Sequence, residues 1–160
     1  MTQTARLTLL GLGNELMGDD GIGVHVVRAL GEQTLPDDVE LIDAGVGGLN
    51  LLNIIERAEA ILAVDAAEMN MPPGSSRWVS PEQLRDSQGP FLSLHDTSFT
   101  ETLWLAERFF ARPPTTIFAI QPAAVEPRPG LSPPLAEKLP ELIHAVCDSL
   151  WQRHRAQKHH

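Results

Sequence analysis

The stretch RLTLLGLGNELMGDDGIGVHVVRAL, residues 6–30, decides the fold class. Its first part, Arg6 to Gly13, is a short and almost wholly apolar run that ends in glycines, which is typical of a buried parallel strand. A polar turn over residues 14–20 follows, and aliphatic residues then recur at helical spacing to about Gln33. A buried strand that passes through a tight turn into an amphipathic helix is the usual opening of an α/β domain.

The rest of the chain continues the alternation of strands and helices. We predict further strands at residues 39–43, 60–65, 77–79 and 115–121, of which 77–79 is a short edge strand. We predict further helices at residues 49–58, from Asp96 or Thr97 to about Phe110, and from Ser132 onward. The pattern predicts an α/β domain with a mostly parallel, roughly five-stranded twisted sheet. Residues 1–152 form a single domain in this interpretation, and residues 153–160 form a polar C-terminal tail.

Composition excludes several classes of partner. The 160 residues include 12 Lys and Arg against 21 Asp and Glu, for a formal net charge of −9. Such a chain lacks the basic face that nucleic acid or anionic lipid requires. No apolar run approaches the roughly 20 residues of a membrane span, and the N-terminus does not resemble a signal peptide. With Cys147 as the only cysteine, we expect no internal disulfide, no cysteine-based metal cage and a cytoplasmic location. The oligomeric state stays open, with a monomer as the default.

Acidic residues follow the predicted strands at the points where these end. They are Glu15, Asp19 and Asp20 after the first strand, Asp43 at the end of the second and Asp65 at the end of the third, with His95 ahead of a later helix. Ligands of parallel α/β sheets lie beyond the carboxyl ends of the strands. Carboxylates gathered there repel one another, so either the pKa of one of these carboxyl groups rises or the group attracts a cation. Two carboxylates and an imidazole suit zinc, nickel or a similar divalent ion.

Each of these residues also has a simpler structural interpretation. Asp19 or Asp20 could be the N-cap of the first helix, and one could cap while the other faces the cleft. An aspartate such as Asp65 often only starts a turn. A single histidine such as His95 more often packs or forms hydrogen bonds than binds a metal.

A nucleotide is the main competing ligand. Gly11 and Gly13 between a strand and a helix, with an acid ending the next strand, form part of a dinucleotide fingerprint. However, Leu16 occupies the position of the third glycine, and the acidic turn would oppose a pyrophosphate. The GLGN segment also occurs in peptidyl-tRNA hydrolases, but the acidic chain does not suit tRNA. A serine hydrolase would need a GxSxG motif, which is absent.

Five segments together carry a more specific resemblance. They are LLGLGNELMGDDGIGVHVVRAL (9–30), LIDAGVGGLNLL (41–52), AILAVDAAE (60–68), LSLHDTSF (92–99) and FAIQPAAVEPRPGLSP (118–133). In content and order, over roughly residues 6–150, the sequence resembles the NiFe-hydrogenase maturation endopeptidases. The resemblance implies a cytoplasmic three-layer α/β/α sandwich. It also implies removal of a short C-terminal extension from the hydrogenase large-subunit precursor after nickel has been inserted.

The resemblance also implies roles for individual residues. The family's metal-contacting positions fall on Asp20, Asp65 and His95, with Asp43 as a supporting candidate. The metal is then the substrate's own nickel, and another divalent ion such as zinc or cadmium could occupy a weak resting site.

A cation held there would polarise the scissile carbonyl or lower the pKa of a bound water, and Asp20 and Asp43 are both candidate general bases. Two alternatives stay open at this point. One is a non-catalytic, nickel-dependent chaperone of the precursor, and the other is a dinucleotide-binding domain.

Overall fold

A single five-stranded sheet organises the part of the chain that the structure, a computed structural model, describes: residues 6–45, 49–86 and 99–159. Its strands are β1 (Leu7–Leu12), β2 (Val39–Gly45), β3 (Ala60–Ala66), β4 (Ser76–Val79) and β5 (Thr115–Ile120). The strand order is β2-β1-β3-β5-β4. All neighbours are parallel except β4, which runs antiparallel to β5 at one edge. The predicted α/β class, the strand count and the short edge strand are confirmed.

Helices cover both faces of this sheet. They are α1 (Ile22–Leu30), α2 (Leu49–Arg57), α3 (Pro81–Asp86), α4 (Phe99–Ala106) and α5 (Pro133–Lys158), and the four-residue 3₁₀ helix Gly18–Gly21 precedes α1. One apolar core joins the sheet to α1 and α5, and a second joins the opposite face to α2, α3 and α4. The result is the expected three-layer α/β/α sandwich. No helix among the described residues is long and apolar enough to cross a membrane.

Three helices differ from the prediction. Helix α3 was not expected, although SPEQ carries a capping-box signal, and α4 ends at Ala106 instead of at about Phe110. The Ser80 N–H donates to Gln83 Oε1 at 2.8 Å, and the Gln83 N–H donates to Ser80 Oγ at 3.2 Å. The predicted N-cap of α4, Asp96 or Thr97, lies outside the described residues.

The last helix begins after its predicted N-cap, Ser132, but it continues through Lys158. The predicted tail at residues 153–160 therefore starts inside α5. Arg153 and His154 each lie 3.2 Å from the carboxylate of the buried Asp38, which precedes β2. These contacts attach the polar end of α5 to the body of the domain.

Gly11 allows helix α1 to lie close to the sheet. It lies within β1, directly beneath α1. A Cβ atom there would lie 2.7 Å from the Gly23 carbonyl oxygen and 2.9 Å from Val27 Cβ. Gly11 therefore permits the close approach of α1 to the sheet, whereas Gly13, with φ of +116°, adopts the turn conformation that favours glycine.

Candidate functional site

The carboxyl ends of the three neighbouring strands β2, β1 and β3 lie level with one another. Gly11 of β1 is opposite Asp43 of β2 on one side and Val64 of β3 on the other. The connection from β1 to β2 runs through α1 on one face of the sheet. The connection from β2 to β3 runs through α2 on the opposite face, and β3 lies on the other side of β1 from β2. This arrangement is a topological switch point, where open α/β sheets form their ligand sites.

Asp20 and Asp65 come together at this switch point. Asp20 is only 8% exposed, and its Oδ2 accepts a hydrogen bond from the Asn14 N–H at 2.9 Å. Asp65, the second-last residue of β3, keeps some solvent exposure, yet protein surrounds its carboxyl group. Burial, and then the charge of Asp20, raise the pKa of Asp65 to about 8, against a smaller opposing effect of a backbone hydrogen bond at Ala66. The two carboxylates thus repel each other in a partly desolvated place.

The Asn14 turn positions the first of these carboxylates. Asn14 Oδ1 accepts a hydrogen bond from the Leu16 N–H at 3.0 Å, while the Asn14 N–H holds Asp20. An asparagine directly after a strand is a recognised turn former, so this signal was present in the sequence, although its link to Asp20 was not. The Asn14 N–H, which a bound pyrophosphate would need, already donates to Asp20. That use counts against the dinucleotide alternative.

Asp19, the neighbour of Asp20, has a different role. It is fully buried, and its carboxylate accepts four hydrogen bonds: from the N–H groups of Ala123 and Ala124, both at 2.9 Å, and from the N–H and hydroxyl of Ser132, both at 2.7 Å. Burial acts to raise the pKa of Asp19, but these hydrogen bonds hold it below its ordinary value. Asp19 therefore fastens the loop of residues 122–132.

The expected N-cap role is wrong for both aspartates. Gly21 is the N-cap of α1, and no side chain caps that helix or the 3₁₀ helix before it. Asp19 was also expected to join the other acids at the strand ends. In the structure its carboxylate is engaged by four donors of the 122–132 loop, which follows the carboxyl end of β5.

We expect Asp19→Asn to lower the free energy of unfolding by about 3 kcal/mol at pH 7, because an amide NH₂ would face N–H donors whichever way it is turned. Urea denaturation of both proteins measures this difference. Since the folded pKa of Asp19 lies below the ordinary 3.8, the advantage of the native protein is complete above that pH and is lost as pH falls through the folded pKa. A difference that stays constant between pH 7 and pH 2 would contradict this account.

Asp43 and Glu15 share a different partner, Arg28 on α1. Arg28 Nε donates to Asp43 Oδ2 at 3.0 Å, and the same guanidinium contacts both carboxylate oxygens of Glu15. The Arg28 hydrogen bonds, opposed by slight desolvation, lower the pKa of Glu15. Arg28 carries no distinctive sequence signal, because an exposed arginine is common on an amphipathic helix.

The pleat of the sheet explains the separation of Asp43 from the pair. Asp43 is level with Val64, whose side chain lies in the core beneath α1 and α5, so it is on that face of the sheet. Asp65 follows Val64 and points to the opposite face. The structure thus brings Asp20 and Asp65 together and leaves Asp43 with Arg28. A catalytic role of Asp43 stays a prediction.

The predicted third metal contact, His95, lies outside the described residues. Within the described residues, no group of three or more His, Cys, Asp and Glu side chains could hold a metal ion. The Asp20–Asp65 pair is therefore the part of the predicted metal set that the structure describes. Its two carboxylates fit a divalent cation chemically, because such an ion would remove the repulsion between them.

The fold and this pair define a class: a doubly wound α/β domain with two neighbouring carboxyl groups at the switch point. Comparisons with known proteins are more specific. A family model described as hydrogenase maturation protease matches residues 24–149. The hydrogenase expression/formation protein HupD of Bradyrhizobium diazoefficiens is 32% identical over 93% of this chain and 80% of its own length. The chain belongs to the hydrogenase maturation protease family and is an endopeptidase of that family.

Solved structures agree with this assignment. The hydrogenase maturating endopeptidase HybD from Escherichia coli superposes with a TM-score of 0.76 at 27% identity, over 92% of this chain and 93% of HybD. A hydrogenase 2 maturation peptidase from a Thaumarchaeota archaeon gives a TM-score of 0.66 at 29% identity, over 91% of this chain and 97% of the peptidase.

Proposed function

We propose that this protein removes the C-terminal extension of a NiFe-hydrogenase large-subunit precursor after nickel has been inserted. The observation that carries the proposal is the Asp20–Asp65 pair at the switch point of a maturation-protease fold. Family membership supports the endopeptidase activity, and the hydrogenase-maturating activity of HybD supports the hydrogenase precursor as substrate.

In this proposal the metal arrives as part of the substrate. Asp20 and Asp65, together with His95, contact the nickel of the precursor, which polarises the scissile carbonyl or lowers the pKa of a bound water. Asp20 is the better placed general base of the two candidates, because it lies beside Asp65 while Asp43 is engaged with Arg28. The Asn14 N–H holds the Asp20 carboxylate in position, and Asp19 steadies the adjacent loop.

The same pair favours weak binding of free ions. With a pKa of about 8, Asp65 carries a proton at neutral pH, so a cation must displace that proton before both carboxylates can bind it. Zinc or cadmium could then occupy the resting site only weakly. A site that free ions occupy only weakly stays open to the nickel that the precursor carries.

The test compares nickel-loaded and nickel-free forms of the same precursor. We expect the protein to shorten the large subunit only when nickel is present, because the Asp20–Asp65 pair lacks its counter-charge in the nickel-free complex. Gel mobility and intact mass of the large subunit measure the product. Equal cleavage of both forms would overturn the nickel dependence, and cleavage of neither would overturn the proposed substrate.

A further inference from the structure

Strand β2 is the edge strand of the sheet in the part of the chain that the structure describes. It pairs with β1, and within the described residues no strand lies on its other side. The Leu7 N–H donates to the Asp38 carbonyl at 2.8 Å while Leu7 lies opposite Val39. In a parallel ladder this means that Leu7 bonds to the residues before and after Val39. Backbone groups alternate in direction along a strand, so Val39, Leu41 and Asp43 turn their N–H and C=O groups away from β1. The Val39 N–H, which donates to the Pro36 carbonyl at 3.2 Å, agrees with this direction.

The outward groups of Leu41 and Asp43 are available for pairing. Among the described residues, nothing bonds to their backbone on the open side. Asp43 is exposed and Leu41 is half-buried, so a second chain can approach this edge. A row of unpaired N–H and C=O groups at strand spacing is a template for an added strand.

A cleft of about 390 Å³ lies between this edge and helix α2. The residues that line it are Ile42, Asp43, Ala44, Asn50, Asn53, Ile54 and Arg57. Its apolar members pack against the core beneath α2, whereas Asn50, Asn53 and Arg57 are exposed and recur at the spacing of one helix face. We call this surface the β2 groove.

Arg57 closes the β2 groove at the end of α2. Its Nε donates weakly to the Asn53 carbonyl at 3.4 Å, and it forms no ion pair with any described residue. A protein with a net charge of −9 thus keeps an arginine fork available beside a cleft. Guanidinium groups of this kind bind carboxylates through two parallel hydrogen bonds.

The β2 groove is continuous with the catalytic end of the sheet. Strand β2 ends at Gly45, whose carbonyl accepts a hydrogen bond from the Gly13 N–H at 2.9 Å. The next residue, Asn14, holds Asp20. A chain that leaves the Asp20–Asp65 pair across the ends of the strands therefore reaches the open edge of β2 directly.

We propose that the β2 groove binds an extended peptide segment of the substrate as an added strand, with Arg57 receiving a carboxylate of that segment. The inference rests on the proposed function, which supplies a peptide substrate. Backbone pairing with Leu41 and Asp43 provides affinity, and alternate side chains of the peptide enter the groove. Asn50 and Arg57 are about 10 Å apart along α2, which is the length of about three residues of extended chain. The carboxylate of the peptide should therefore lie about three peptide residues beyond the one next to Asn50.

Backbone amide exchange tests this placement directly. The probe is a synthetic peptide with the sequence of the precursor's C-terminal extension, added at saturating concentration to the full-length protein and followed by NMR. We expect exchange at the Leu41 and Asp43 amides to slow at least tenfold, because both gain acceptors. Arg57→Glu should weaken peptide binding about tenfold and Arg57→Lys less, while Arg155→Glu, an equal charge change on an exposed part of α5, should have no effect.

The outcomes separate this inference from the proposed function. The proposed strand addition in the β2 groove is overturned if the peptide does not bind. It is also overturned if the peptide binds without slowing exchange at Leu41 and Asp43, even when the protein cleaves the precursor. Binding that is unaffected by Arg57→Glu overturns the role of Arg57. Slower exchange in a protein that cleaves no precursor supports the groove and overturns the proposed function.

Discussion

Replacing Asp20 with Asn is expected to lower the rate of precursor cleavage by about 10²- to 10⁴-fold, the usual contribution of a positioned acid or base. The amide keeps an oxygen that can accept the hydrogen bond from the Asn14 N–H, so the turn is retained. It removes the charge and the basicity that the proposed mechanism assigns to this position. Single-turnover cleavage of nickel-loaded precursor measures the effect, and circular dichroism checks the fold.

Asp37→Asn is the matched control. Asp37 is an exposed aspartate just before β2, at the opposite end of the sheet from the Asp20–Asp65 pair, so its substitution should leave cleavage unchanged. Wild-type cleavage rates in the Asp20→Asn protein would overturn the role of Asp20. The chaperone alternative predicts a third pattern, in which wild-type and Asp20→Asn proteins both bind the precursor and neither releases the peptide.

Replacing Gly23 with Ala is expected to destabilise the protein by about 3 kcal/mol or more, at the upper end for overpacking in a core. Gly23 lies in the first turn of α1, where the helix crosses β1 and β3. A Cβ atom there would lie 2.0 Å from the Val64 carbonyl oxygen and 2.6 Å from that of Leu12. Both atoms are backbone of central strands, so neither can move without disturbing the sheet. Urea denaturation of the purified variant measures the loss.

Gly31→Ala, just beyond α1, is the corresponding control. Gly31 is exposed and has helical dihedral angles, with φ of −61°. An added Cβ would lie 3.2 Å from the Arg28 carbonyl oxygen, which requires only a small adjustment. Because alanine is favoured over glycine in helical conformations, we expect a change within about 1 kcal/mol. Equal denaturation midpoints for both variants would show that α1 does not approach the sheet so closely.

Sequence patterns predicted the elements with a strong local signal. Strand β1 and helix α1 follow from an apolar run and an amphipathic period, and the start of α5 follows from the predicted N-cap Ser132. The polar end of α5 was predicted as a tail because residues 153–160 are almost all polar. It is helical in the structure, where Arg153 and His154 contact Asp38, 115 and 116 residues earlier in the chain.

The sequence by itself determined the order of strands and helices, the acidic character of the strand ends and the family resemblance. All of these are properties of neighbouring residues or of short segments in a fixed order. Only the tertiary structure decided how Asp19, Asp20 and Asp43 divide their roles. Asp19 fastens the 122–132 loop, Asp20 meets Asp65, and Asp43 pairs with Arg28. The physical reason is that the environment of a carboxylate is set by donors and charges brought close by folding, and Asp19 and its partner Ser132 are 113 residues apart in the chain.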